Sequence, residues 1–154
     1  DRDYETGRKV FAAAACYTCH RFGNAGGMTG PDLTLSGGRY SPHDFLDQVI
    51  NPSKEINEQF VPIVLTKEDG ETITGIIVNL NGDSVQVNTD LTDPNQRIGV
   101  DRKKVVKMEP SKVSPMPEGL LNSLSQEEIA DLFAFLAAPP GESVSKRESE
   151  NKAK

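Results

Sequence analysis

The sequence predicts a mainly α domain interrupted by an inserted β module of five short strands. Three observations predict it. Small and apolar residues recur at helical spacing near both ends of the chain, at Gly7, Val10, Phe11, Ala14 and Ala15 and again at Ile129, Leu132, Phe133, Phe135 and Leu136. From Val61 to Met108 that period is lost, and β-branched residues cluster between turn signals instead. Finally, two thiols and an imidazole are gathered at the close of the first helical stretch, in Cys16-Tyr17-Thr18-Cys19-His20.

Taken in order, Asp3 stands where it can cap the first helix, which leaves Arg8 and Lys9 towards water and delivers Cys16. A Gly-rich loop follows from Gly23 to Gly38. Ser41-Pro42 opens a second helix, Ser as N-cap and Pro at the first helical position, and this helix is expected to end near Asn51-Pro52. Strands are expected at Val61 to Lys67, Thr72 to Leu80, Ser84 to Asn88, Gln96 to Val100 and Lys104 to Met108, with Asp69-Gly70 and Asn81-Gly82 as hairpin turns. Ser125 with Glu128 forms a capping-box pattern for the last helix, which Pro139-Pro140 stops. Residues 141–154 hold no large apolar residue except Val144 and are expected to be a disordered tail. The expected division is therefore residues 1–60 with 110–140 as one domain and 61–109 as the insertion.

The 154 residues, 36% hydrophobic and 26% charged, suit one domain with a modest core and a small second module. Apolar runs such as Val10 to Cys16 and Leu132 to Ala138 are far shorter than the roughly 20 residues that cross a bilayer. With 17 basic against 23 acidic residues the net charge is -6, which argues against a nucleic acid as the main partner. The chain opens on Asp1 with no basic-then-apolar leader, as expected of a processed chain or a piece of a longer one.

Cys16-Tyr17-Thr18-Cys19-His20 is the C-x-x-C-H pattern of c-type haem attachment, in which two thiols add to the haem vinyl groups and the adjacent histidine reaches the iron. Two rivals use the same residues. A thioredoxin-like dithiol follows a strand and opens a helix, whereas this one closes a helix. A zinc site would need Cys16, Cys19, His20 and His43, with the adjacent Cys19 and His20 converging on one ion. His43, on the helix after Ser41-Pro42, reads as a solvated surface residue.

Beyond the motif, residues 3 to 60 and 110 to 138 resemble class I cytochromes c. Gly7 and Phe11 match the family's first-helix positions, where a small residue and an aromatic let the terminal helices cross closely, and Leu132 with Phe135 match their partners. Gly30-Pro31-Asp32-Leu33 resembles the family's Gly-Pro segment. The resemblance implies that the Pro31 carbonyl accepts the second ring N–H of His20, that Leu33 packs on the haem, and that Arg39, with Tyr40, hydrogen-bonds a haem propionate.

The resemblance also implies a thioether as second axial ligand. Met116, in Ser114-Pro115-Met116-Pro117-Glu118-Gly119-Leu120, matches the family's Met loop; Met28 lies too near the attachment site and Met108 ends an expected strand. His20 and Met116 are 96 residues apart, and removing the 49 residues of 61–109 leaves 47, a separation that suits a short cytochrome. Within 61–109, Asp69-Gly70, Gly75, Asp83-Ser84 and Val105-Val106 resemble small five-stranded barrels of the SH3 or Sm type.

The combined pattern looks like the haem-binding domain named for Planctomycetes and Verrucomicrobia, on the strength of Asn51-Pro52-Ser53-Lys54-Glu55-Ile56, Asp69-Gly70 and Met116-Pro117-Glu118-Gly119-Leu120. This resemblance implies one covalent haem c, an exported or periplasmic location, and electrons accepted from a fused or partner dehydrogenase or another redox protein. The leading expectation is a one-electron carrier and not an enzyme, because iron with both axial positions filled does not readily take a substrate. A peroxidase-like haem enzyme, or a haem-based redox or gas sensor with a displaceable sixth ligand, is the alternative. Arg102, Lys103, Lys104 and Lys107 form a basic run in a module of net charge -2; it reads either as steering for an acidic partner or as lysines protecting an edge strand.

Overall fold

The structure, a computed structural model, describes residues 2–140; the expected tail at 141–154 lies outside them. The chain divides into two compact units. One runs over Asp1–Asn51 and resumes at Glu118, and the other is Pro52–Pro117.

The first unit is built on three helices. Asp3 caps α1 (Tyr4–Ala13) by accepting from the backbone N–H groups of Glu5 and Thr6, each at 3.0 Å. α2 (Pro42–Ile50) has Ser41 as N-cap and Pro at its first position, and α3 (Gln126–Ala137) has both halves of the Ser125/Glu128 capping box.

α1 and α3 pack closely because residue 7 has no side chain: a Cβ there would lie 2.1 Å from the Asp131 carbonyl oxygen and 2.7 Å from the Phe135 Cβ. The Asp131 carboxylate, itself buried, accepts from the Asp3 backbone N–H at 2.9 Å and ties the start of α1 to α3. Beyond the crossing lies the core, where Phe11 is wholly buried with its ring centroid 5.8 Å from that of Phe135, and where Val10, Phe22, Leu121, Leu132 and Leu136 join it.

The loop expected from Gly23 to Gly38 holds more structure than its glycines suggest. Arg21–Phe22 (β1) pairs antiparallel with Ala25–Gly26 (β2), and Ser36–Gly38 forms a 3-10 turn. A Cβ on Gly37 would lie 2.2 Å from the Ala137 Cα, so this turn packs directly on the end of α3.

The second unit is one five-stranded antiparallel sheet of β3 (Ile63–Lys67), β4 (Thr72–Asn81), β5 (Ser84–Asn88), β6 (Ile98–Asp101) and β7 (Val105–Pro110). The spatial order is β6-β5-β4-β3-β7, with bulges at Thr66/Lys67 and Ile77/Asn79. Leu65, Val85, Val87 and Val100 form its core.

β4, β6 and β7 run on past their expected ends, to Asn81, Asp101 and Pro110, and three strands start later than expected, each for a local reason. β3 starts after Pro62, which has no N–H for the ladder. β6 starts at Ile98 because the Gln96 N–H closes a turn onto the Asp93 carbonyl at 3.1 Å. Lys104 belongs to a 3-10 turn, Arg102–Lys104, capped by the Asp101 side chain, so β7 starts at Val105.

Two hydrogen bonds close the neck of this unit, Ser111 N–H to the Pro62 carbonyl at 2.8 Å and Ser114 N–H to Ser53 Oγ at 3.0 Å. The flanking segments 52–62 and 111–117 are thereby joined to each other as well as to the strands.

The α1/α3 crossing generates a stability prediction. Gly7→Val should cost about 2–3 kcal/mol in urea unfolding, because the new side chain must push two helices apart. Gly38→Ala, where a Cβ meets nothing within 4 Å, should be close to neutral by the same measurement.

Candidate haem-attachment site

The attachment segment begins with a backbone reversal. Ala15 has φ 59°, in the left-handed region, and is the only non-glycine residue with positive φ among those described. A conformation of that kind costs an alanine on the order of 1 kcal/mol, and here it ends α1 and turns the chain into the 3-10 turn Cys16–Thr18. Because such a turn has three residues per revolution, residues three apart stack on one side. Cys16 and Cys19 therefore share a side, and both are free and half-buried. Burial pushes the Cys16 thiol up to about 11, so at neutral pH it is held as the thiol.

His20 is positioned from the loop that follows. Its Nδ1 lies 2.7 Å from the Pro31 carbonyl oxygen. A carbonyl can only accept, so Nδ1 carries the ring proton and Nε2 keeps a free lone pair. The loop is laid over the attachment segment by Gly27 N–H to the Tyr17 carbonyl, Gly30 N–H to the Cys19 carbonyl and Leu33 N–H to the Arg21 carbonyl, at 2.8, 2.8 and 2.9 Å. Gly30 gives the imidazole its clearance, since a Cβ there would lie 3.0 Å from the ring Cε1 and 3.1 Å from Nδ1.

These residues fit a covalently attached haem. They supply two thiols on one side of a turn and an imidazole whose proton is already committed away from the metal-binding nitrogen. They do not fit the zinc alternative. Among the described residues no three of His, Cys, Asp or Glu converge where a metal could be held, and the His43 side chain is 90% exposed, with Asp44 at 3.7 Å.

Of the other site residues expected from the sequence, Leu33 packs against the core cluster that includes Phe11 and Phe22. Arg39 ends the Ser36–Gly38 turn with its side chain exposed, and Tyr40 stacks edgewise on Phe45 with centroids 6.4 Å apart. Met116 belongs to the unit Pro52–Pro117, where its backbone N–H donates to Ser114 Oγ at 3.1 Å. Met28 and Met108 are 77% and 51% exposed.

Two features of the site escaped the sequence. One is the clearance for His20 at Gly30, and the other is the hydrogen-bonded turn made by Asp32 and Thr34. The Asp-x-Thr spacing after Gly-Pro was the available signal for the second.

A chain with this attachment turn, this histidine and this helix crossing has the parts of a haem-carrying domain. The sequence profile of the Cytochrome c family matches residues 4–67, less than half of the chain. The match contains α1, the attachment segment, the Gly30-Pro31 loop and α2, and it ends with β3; α3 and Met116 lie beyond it. No curated protein matches the chain. No helix among the described residues is long and apolar enough to cross a membrane.

Burial holds the His20 imidazole below its ordinary value of 6.5, against the pull of the Pro31 carbonyl in the other direction. A histidine held neutral by folding contributes stability that is fully present above the unfolded value and is lost as pH falls through the folded value. In the haem-free chain, the unfolding free energy should therefore decline as pH falls below the ordinary histidine value of 6.5. His20→Gln should flatten that decline in urea titrations run across the range, while the losses from Asp32, Asp44 and Glu128, whose values lie below 3.8, 3.8 and 4.5, remain at more acid pH.

Proposed function

We propose that this chain is a one-electron carrier with a single haem c, joined through Cys16 and Cys19 and ligated axially by His20 and Met116. The observation that carries this reading is the His20 Nδ1 contact with the Pro31 carbonyl at 2.7 Å, beside two free cysteines on one turn. When bound, the haem supplies a metal that alternates between Fe(II) and Fe(III). The protein's part is to hold it still. Cys16 and Cys19 fix the porphyrin edge, the Pro31 carbonyl prevents rotation of the imidazole, and Leu33 lines the apolar side with the residues around Phe11.

Met116 is proposed as the second ligand from its place in Pro115-Met116-Pro117, two residues before the chain re-enters the first unit at Glu118. A thioether favours the reduced iron and raises the potential. Arg39 is proposed to meet a propionate, with an exposed side chain in the loop before α2.

The five-stranded sheet is proposed to be an SH3- or Sm-type barrel, a reading supported by the order in which the fifth strand pairs with the first and by the 3-10 turn between the fourth and fifth. Two of its four clustered cations are occupied locally, Lys103 by Asp83 at 2.7 Å and Lys107 by Glu109 at 3.0 Å. Steering of an acidic partner therefore falls chiefly to Arg102 and Lys104. The Planctomycetes- and Verrucomicrobia-type affiliation, electron acceptance from a fused or partner dehydrogenase, and an exported or periplasmic location belong to the same proposal and rest on the motifs.

Covalent attachment is tested directly. The haem should stay with the chain through acid-acetone extraction and a denaturing gel, and Cys16→Ala with Cys19→Ala should release it; a preparation that binds zinc and shows no porphyrin absorbance would end the proposal.

Ligation is tested by the sulfur-to-iron absorption band of the ferric protein. Met116→Ala should abolish the band and lower the potential, whereas Met28→Ala and Met108→Ala should leave it in place. Loss of the band in Met108→Ala would show that the ligand assignment across the insertion is wrong, and a high-spin five-coordinate ferric spectrum in the unsubstituted chain would favour the enzyme or sensor alternative.

A further inference from the structure

His20 belongs to a closed circuit of hydrogen bonds. Its Nδ1–H donates to the Pro31 carbonyl at 2.7 Å. The next residue, Asp32, accepts through Oδ1 from the Thr34 backbone N–H at 2.9 Å and from the Thr34 hydroxyl. That hydroxyl oxygen accepts from the Gly23 N–H at 3.0 Å, and the Arg21 carbonyl accepts from the Leu33 N–H at 2.9 Å. Arg21 follows His20 directly in the chain and Gly23 stands two residues further on, so the circuit returns to its start through the backbone.

Its direction is determined by valence. The Gly23 N–H can only donate, so the single Thr34 hydroxyl proton must go to the Asp32 carboxylate. Every member is thereby satisfied, and Asp32 is the charged one. The Thr34 hydroxyl and then its backbone N–H hold the Asp32 carboxyl below its ordinary value of 3.8, with Arg21 and Arg39 adding attraction.

We propose that Asp32 and Thr34 are positioning residues for His20: the turn they close aims the Pro31 carbonyl at Nδ1, and the charge of Asp32, on the residue next to that carbonyl, strengthens its hold on the Nδ1 proton. The inference rests on His20 being the haem ligand. A stronger acceptor at Nδ1 makes the imidazole a better electron donor at Nε2 and favours the higher oxidation state of a metal bound there. The circuit therefore lowers the reduction potential, in opposition to the thioether.

The test uses the full haem-loaded chain, with two readouts: reduction potential by spectroelectrochemical titration, and exchange of the Nδ1 proton by NMR in the ferrous form. Asp32→Asn keeps an oxygen to accept from Thr34 and removes the charge. It should leave the absorption spectrum unchanged and raise the Fe(II)/Fe(III) ratio at fixed applied potential several-fold, within the tenfold that equals about 59 mV for one electron. Thr34→Val, which keeps the shape and loses the hydroxyl, should shift the ratio in the same direction and speed Nδ1 exchange, and Thr34→Ser should restore both.

Asp44→Asn, which removes a carboxylate of the same unit outside the circuit, measures the general effect of one charge. Shifts in Asp32→Asn and Thr34→Val no larger than in Asp44→Asn, with unchanged Nδ1 exchange, would overturn the inference while leaving the haem reading intact. Absence of covalent haem, read separately on a denaturing gel, would overturn both.

Discussion

The clearance at residue 7 is the constraint from which the first unit follows. With a carbonyl oxygen 2.1 Å from where a Cβ would stand, α1 and α3 meet along their backbones and not through a layer of side chains. Such an approach leaves Phe11 and Phe135 to fill the space beyond it, and it brings Tyr17 edge-on to Phe11 with ring centroids 4.3 Å apart. The attachment turn is thus seated on the helix crossing. Asp131 extends the same contact at the other end, where its carboxylate accepts from the Asp3 backbone N–H at 2.9 Å and so uses one of the amides that α1 leaves unpaired at its start.

From that base the site is assembled by backbone groups more than by side chains. Three amides of the loop, those of Gly27, Gly30 and Leu33, bind carbonyls of Tyr17, Cys19 and Arg21, and glycine at 30 leaves room for the imidazole between them. The consequence is an imidazole whose orientation is set by the Pro31 carbonyl at its Nδ1. A side chain held in this way has already given up the rotamer freedom that an unrestrained imidazole keeps.

The inserted sheet is accommodated by a simple device. Its first and last strands pair with each other, so the chain leaves and returns at one place, and the bonds from Ser111 to Pro62 and from Ser114 to Ser53 close that place. A large insertion is tolerated when its ends are already adjacent, because loop-closure entropy grows only logarithmically with length. The same closure places Met116 just beyond a hydrogen-bonded neck.

The sequence alone determined those features whose signal is written in a few neighbouring residues. The caps at Asp3, Ser41 and Ser125 are local hydrogen bonds, the C-x-x-C-H spacing is a local geometry, and the hairpins at Asp69-Gly70 and Asn81-Gly82 are local turns, so each could be read from a handful of neighbours. The contact between Gly7 and the last helix, and the Pro31 carbonyl at His20, came instead from a family resemblance, which carries long-range information that periodicity lacks. Only the tertiary structure decided how closely a Cβ would crowd Gly30 and Gly37, and that Asp32 and Thr34 complete a circuit back to Gly23. In each of these the deciding atom belongs to a segment distant in sequence, and a composition that reads as flexible loop becomes ordered because a partner elsewhere in the fold satisfies its backbone.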